Sequence, residues 1–380
     1  MKYKLGEICK IVSGTTPKTS IAEYWDGDIK WLTPAEIKDD SYTIYDTVRK
    51  ITLLGKEKSG LNLFPKGTVI LSSRAPIGKV AIAGCDMCCN QGFKNLICSE
   101  TVYNKYLYWF LKNKKDYLNS LGRGATFKEL SKQIVSEIII NLPSYNEQEK
   151  IVDKLERLQK IVATRKHQLL QLDKLTKSLF VEMFGDFVEN PKCYKKEPIE
   201  THVDLLSGYP FKSSQYVDVG INICGGLIIM PQTIKWEDCL HWESTDGYEE
   251  YMLQENDIVM ALDRPWISDG FKIAKVDAEH LPALLIQRTA RIRAIDINQE
   301  YLYYCFIIGG FERHSSITGS LVPHISLKDI RSFQILIPPL KLQEQFADIV
   351  GKIDKHKSVI QKSLDETQLL FDSLMQKYFG

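Results

Sequence analysis

The sequence predicts an α+β fold: two mixed α/β globular parts separated by two long helices, with the helices pairing as an antiparallel coiled coil. Three observations predict it. The chain repeats itself at an offset of 195 residues. Each repeat closes on a long stretch whose apolar residues alternate four and three positions apart, the seam spacing of a coiled coil. The parts before these stretches mix short β-branched runs with helical segments.

The repeat sets the domain plan. Leu142-Pro-Ser-Tyr-Asn-Glu-Gln148-Glu149 returns as Ile337-Pro-Pro-Leu-Lys-Leu-Gln343-Glu344, and Phe184-Gly185 returns as Phe379-Gly380. Gly124 matches Gly319 and Ser131 matches Ser326, while Ser13-Gly14 matches Ser207-Gly208 at an offset of 194. Residues 1–144 and 186–337 are then the globular parts, and 145–185 and 338–380 the helical ones. A chain of 380 residues is long enough for two domains of ordinary size.

In chain order, strands are expected at Thr68–Ser72, Lys79–Ala83 and Ser136–Leu142, with a helix over Asn104–Asn119. The first long helix follows Pro143, where proline is tolerated. Its seam is Ile151, Leu155, Leu158, Val162, Leu169, Leu172 and Leu179, interrupted by Arg165 and Thr176 and closed by Met183. The second globular part offers strands at Asp257–Leu262 and Phe271–Val276 and a helix at Gln299–Phe311. The second seam is Phe346, Val350, Ile353, Ile360, Leu364, Phe371 and Leu374, with Lys357 and Thr367 between and Tyr378 at its end. Each helix would be about 55 Å long and must bury its stripe. The two pair with each other, with the polar seam residues setting register, or each packs on its own globular part.

Composition excludes several classes. Apolar residues make up 44% and charged residues 26%, which suits a globular chain and not a disordered one. No apolar run is long enough to span a bilayer, and the first residues lack a signal-peptide core. Nine cysteines are therefore expected as reduced thiols in a cytoplasm. Net charge is only +1, but residues 1–144 carry 21 Lys+Arg against 14 Asp+Glu, whereas 186–337 carry 14 against 22. The stretch Glu237–Asp257 contains no Lys or Arg, so its acids are expected to face solvent or a partner and not phosphate.

Catalytic motifs are missing. An adenine methyltransferase needs an Asn/Asp-Pro-Pro-Tyr/Phe loop, and the chain has only Ile337-Pro-Pro-Leu340. Gly78-Lys79 is followed by valine, so no phosphate loop forms. Glu36 and Lys38, with Asp28 upstream, imitate the carboxylates of a metal-dependent nuclease. Cys85-Asp-Met-Cys88-Cys89 has zinc-knuckle spacing, but a structural site wants four ligands and only Cys98 lies near. No metal site and no catalytic residue is expected. The rivals are the nuclease, a coiled-coil scaffold and a stand-alone regulator.

The loop Ser13-Gly-Thr-Thr-Pro-Lys18, Trp25-Asp-Gly-Asp-Ile-Lys-Trp31, Leu71-Ser-Ser-Arg-Ala-Pro-Ile-Gly-Lys-Val80 and Cys89-Asn-Gln-Gly-Phe93 resemble a target recognition domain. The family is that of the specificity subunits of type I restriction-modification systems. Ser207-Gly-Tyr-Pro-Phe-Lys-Ser-Ser214, Leu253-Gln-Glu-Asn-Asp-Ile-Val-Met260 and Ile286-Gln-Arg-Thr-Ala-Arg291 resemble a second subclass of the same domain. The resemblance spans essentially the whole chain. It implies that each globular part reads one half of a bipartite site on double-stranded DNA, with the helices as a spacer. It also implies two modification subunits that bind S-adenosylmethionine and methylate adenine. Restriction subunits using ATP and magnesium can join them, and no cofactor is held by this chain.

Arg and Lys pair with guanine, Asn and Gln with adenine, and Lys, Arg, Ser and Thr clamp phosphates. On the first part, the candidates are Thr15, Thr16, Lys18, Arg74, Lys79, Asn90, Gln91, Lys94, Arg123, Thr126 and Lys128. On the second they are Lys212, Ser213, Ser214, Arg264, Lys272, Gln287, Arg288, Thr318, Ser320 and His324.

Overall fold

The computed structural model describes residues 1–74, 76–123, 128–315 and 324–380. They form two compact units, one of Met1–Lys166 with Gln361–Gly380 and one of His167–Ile360. The long helices run Tyr145–Phe184 and Leu340–Phe379. Each gives its N-terminal half to the unit of its own globular part and its C-terminal half to the other.

In the first unit a five-stranded sheet has the order Cys9–Ser13, Lys94–Cys98, Val69–Leu71, Val80–Ala83, Thr43–Ile44. All its pairs are antiparallel except the last. A three-stranded sheet joins Arg49–Ile51, Trp25–Leu32 and Cys88–Cys89. The second unit has a four-stranded antiparallel sheet, Val203–Ser207, Thr289–Ala294, Ile258–Ala261, Ile273–Lys275. Its three-stranded sheet joins Leu240–Trp242, Ile221–Cys224 and Ala283–Leu285. The central strands, such as Val69–Leu71 and Ile258–Ala261, are buried on both faces, which is why they read as continuous apolar runs.

Local expectations shift at the edges. Ser136–Leu142 is not one strand: Lys132–Ser136 is a helical turn capped by Ser131, and only Ile139–Asn141 is extended. Asn104–Asn119 breaks at Lys114 into two helices, Asn104–Asn113 and Lys115–Leu121. Gln299–Ile308 likewise ends at Gly309, and a short turn of helix starts again at Phe311.

The duplication extends to individual hydrogen bonds. Buried Gln148 accepts from the Tyr103 amide at 2.8 Å and donates to the Thr101 and Pro143 carbonyls at 3.0 Å. Buried Gln343 accepts from the Asn298 amide at 2.9 Å and donates to the Pro338 carbonyl at 2.8 Å. Tyr103 and Asn298 are N-cap residues of equivalent helices, so each glutamine satisfies an amide at a helix entrance while tying the long helix to its own globular part. One helical turn inward, the Tyr106 hydroxyl donates to the Asn141 carbonyl at 3.0 Å and that of Tyr301 to the Leu336 carbonyl at 2.8 Å. Tyr106 packs on Phe379, and Tyr301 on Phe184. Each ring thus meets the last phenylalanine of the helix belonging to the other repeat.

The helices run antiparallel within each unit. In the first, Val152 and Leu155 share a core with Met375 and Phe379. In the second, Phe180 and Phe184 share one with Phe346 and Val350. The seam holds through the middle, where Leu155, Val162, Thr176, Ile353 and Leu364 are buried. Ile151, Leu158, Leu169, Leu172, Leu179, Ile360, Phe371 and Leu374 are half-buried. Towards three of the four helix ends the deepest positions move one residue along, to Val152, Phe180, Phe184, Met375 and Phe379, because there the stripe must also cover a globular core. At the start of the second helix the seam residues Phe346 and Val350 stay fully buried. Both alternatives for burying the stripe are therefore realised. Arg165 donates to the Ser363 carbonyl and the Thr367 hydroxyl, and Lys357 meets Asp173 at 2.6 Å. Three of the four polar seam residues, Arg165, Lys357 and Thr367, are thus paired across the helices, which suits a register device. The Thr176 hydroxyl donates instead to the Leu172 carbonyl of its own helix at 3.0 Å.

Candidate nucleic-acid interface

Four loops converge in the first unit. The Thr15 amide donates to the Cys89 carbonyl at 3.1 Å, and the Thr16 hydroxyl to the Gln91 side chain. Ser73 donates its amide to Gly92 at 2.7 Å and accepts from the Leu130 amide at 2.9 Å. The loop bearing Thr15, Thr16 and Lys18 therefore lies on that of Asn90 and Gln91. The latter lies on Arg74, and Arg74 on the strand pair Arg123–Glu129. Gly14 makes the first contact possible, since a Cβ there would stand 2.0 Å from the Cys89 carbonyl oxygen. Gly208 does the same in the second unit, 2.1 Å from that of Ile286. The shared Ser-Gly is thus a close backbone approach in both repeats.

The candidates differ in availability. Thr15, Lys18, Gln91, Arg123 and Lys128 are exposed, and Thr16, Arg74, Lys79 and Asn90 half-exposed. Lys79 reaches the Pro34 carbonyl at 3.2 Å, and the Asn90 carbonyl oxygen caps the Gly92 amide at 2.9 Å. Lys94 departs from expectation. It is 7% exposed, with its ammonium 3.2 Å from Glu129 and 3.4 Å from the Ser73 hydroxyl. It is committed to the protein and supports the loops from behind, because a buried ammonium must stay paired. Thr126 lies outside the described residues.

In the second unit Gln287 and Arg288 are exposed on the turn before the central strand, and the Gln287 amide donates to the Tyr209 carbonyl at 2.8 Å. Arg264, Lys272, Gln287 and Arg288 line one cleft of about 600 Å³, with Gly225, Gly226, Leu227, Ile228, Asp238 and Asp263 among its other walls. Arg264 and Arg288 both hold left-handed backbones, at φ 45° and 62°. Non-glycine residues adopt that region at a cost and cluster at functional sites. Lys272 again departs from expectation: it is 7% exposed and donates to the Gly226 carbonyl. Burial, with Arg264 beside it, holds its pKa below the usual lysine value. Lys212, Ser213 and Ser214 are exposed on a separate turn, and Thr318 and Ser320 lie outside the described residues.

The base of the last loop carries opposite polarity in the two units. Arg74 faces Glu129 at 3.8 Å in the first, and Asp263 faces His324 at 2.8 Å in the second. The backbone pairing is equivalent, since Ser73 accepts from Leu130 as Leu262 does from Ile325. Burial opposes ionisation of Asp263, but hydrogen bonds from His324 and Arg288 hold its carboxyl below the usual range. Glu129 and Asp263 carry no motif that marks them in the sequence; the 195-residue offset from Glu129 to His324 is the one signal that could have found the pair.

Of the acids in Glu237–Asp257, Asp257 does not face solvent. It is buried and accepts two 2.7 Å bonds from Arg293. The remaining acids of the stretch are exposed. Glu36, the nuclease candidate, spends both oxygens on backbone amides, accepting from Thr33 of its own turn at 2.9 Å and from Val48 at 2.7 Å. Cys88 and Cys89 are free and buried, their thiols pushed up to about 11 and about 12 by desolvation. Among the described residues no three His, Cys, Asp or Glu side chains gather as a metal site, and no helix is long and apolar enough to cross a membrane.

Residues 1–174 and 237–367 match the family model described as type I restriction modification DNA specificity domain. The chain belongs to that family. The two matched stretches take in the first globular part, the second from residue 237 onward, and most of both long helices of this specificity-domain protein. It is similar to the type I restriction enzyme MjaIX specificity subunit of Methanocaldococcus jannaschii, 29% identical over 98% of this chain and 91% of that one. A shorter likeness is to the EcoAI specificity subunit of Escherichia coli, 31% identical over 57% of this chain and 39% of that one. The fold is similar to that of the type I restriction-modification S subunit from M. genitalium. There the TM-score is 0.59 at 15% identity, over 100% of this chain and 96% of the other.

Proposed function

We infer that this chain supplies the DNA sequence specificity of a type I restriction-modification complex, each globular part reading one half of a bipartite target. One observation carries this reading. The same loop scaffold, with its Ser-Gly approach and its paired loop base, is built twice and presents different side chains each time. Duplicated scaffolds with different tips suit two half-sites of different sequence. Exposed Arg, Lys, Gln, Asn and Thr on those tips are the groups that clamp phosphates and read base edges. The long helices act as spacer and as platform for partners. Two modification subunits would bring S-adenosylmethionine and adenine methylation, and restriction subunits would add ATP- and magnesium-dependent cleavage. The chain itself is non-catalytic.

Arg123 offers a direct test. It is exposed, and its backbone pairs with Glu129 at 3.1 and 2.9 Å whatever its side chain. Arg123→Ala in the assembled complex is expected to keep the fold and weaken DNA binding on all sequences alike. The slope of log affinity against log salt should become shallower by about 0.9 if one phosphate contact is lost. An unchanged slope and affinity in an anisotropy titration would remove Arg123 from the interface.

A further inference from the structure

Leu227 has the highest exposure of any large apolar side chain among the described residues, at 91%. A lone exposed leucine is ordinary; this one is held in a particular place. It sits at the tip of the turn Gly225-Gly226-Leu227-Ile228, closed by the Ile228 and Ile229 amides donating to the Gly225 carbonyl at 3.1 and 3.2 Å. The buried ammonium of Lys272 grips the same turn at the Gly226 carbonyl. A buried ammonium must keep a hydrogen-bond partner, so this bond ties the turn to the chain at Lys272. The fixed tip forms the rim of the cleft that Arg264, Gln287 and Arg288 also line.

The cleft also presents the exposed acid Asp238. A carboxylate there repels phosphate, so the backbone of a bound duplex is held by the arginines at the edge and a base edge faces the centre. In the major groove the base edges carry one apolar group, the C5 methyl of thymine.

Resting on the specificity reading above, we propose that Leu227 is a specificity-determining residue that packs on a thymine methyl in the half-site read by the second unit. Arg264, Gln287 and Arg288 flank it on the polar edges of neighbouring bases and on phosphate.

The test uses the full chain assembled with its modification subunits, and duplexes of the methylated target in which each thymine, on either strand, is replaced in turn by deoxyuridine. This removes one methyl and leaves every hydrogen bond. Wild type is expected to lose about four-fold in affinity at one position, the worth of one buried methyl. Leu227→Ala should lose a similar factor on the unmodified target and then show no further loss at that position. Its thermal unfolding should be unchanged, since the side chain is solvated. Uniform tolerance of deoxyuridine by wild type, a loss that persists in Leu227→Ala, or a target without thymine overturns this proposal alone. Failure of the wild-type complex to prefer any sequence overturns the specificity reading and the proposal with it.

Discussion

Phe346→Ala is expected to destabilise the second unit by about 3–5 kcal/mol, the range for truncating a buried phenylalanine. Phe346 is 0% exposed and stands 5.5 Å from Phe180, 5.4 Å from Phe184 and 5.3 Å from Tyr304, ring centroid to ring centroid. Two of those partners come from the first long helix, and Phe346 lies two turns inside the start of the second. Removing the ring leaves a cavity among groups fixed by backbone: the Tyr301 hydroxyl is bonded to Leu336, and Gln343 anchors the helix one turn before. Collapse to fill the cavity is therefore limited, which places the cost toward the upper end. Denaturant unfolding followed by tryptophan fluorescence should show an early transition in the variant. A loss below about 1 kcal/mol would mean that the aromatic junction is not a core in the sense described.

Arg264→Gly should separate function from stability. Arg264 is exposed, makes no ion pair among the described residues, and sits at φ 45°, where glycine is at ease. Relief of that strain, about 1–2 kcal/mol, offsets the greater freedom that glycine gives the unfolded chain. Stability should change by less than about 1 kcal/mol. DNA binding should move far more. If Arg264 reads a guanine bidentately, discrimination at one position of the second half-site falls by about 1–3 kcal/mol. Competition binding against single-base variants of the target measures this. A variant that is destabilised but keeps its discrimination would show that the left-handed arginine serves the fold and not the DNA.

The parts of the fold most legible in the sequence were those set by period and by repetition. The four-three spacing located both long helices because an amphipathic stripe of that length has few ways to be buried. The 195-residue offset marked Gln148 and Gln343 as counterparts, although their roles at the entrances of Asn104–Asn113 and Gln299–Ile308 needed coordinates. The one-residue shift at three of the helix ends was not legible, since it arises where a stripe turns from its partner helix to a globular core.

Within the candidate interface, residue type identified donors but not their surroundings. Lys94 and Lys79 look alike in sequence, yet only Lys94 has Glu129 within 3.2 Å behind the surface. Lys272 looked like a phosphate clamp and proved to be a buried brace for the Gly225–Ile228 turn. Asp257 looked like part of a solvated acidic run and forms a buried pair with Arg293, an outcome of strand pairing between distant segments. Leu227 carries no polar atom, and a search for donors and acceptors passes over it.

The most direct test of the central claim is adenine methylation mapped across the genome of cells carrying the modification subunit with and without this chain. The expected result is a bipartite motif that is methylated only when the chain is present, and whose second half alone changes when Arg264 or Leu227 is replaced. A motif that persists without the chain, or no motif when both proteins are present and co-purify, would contradict it.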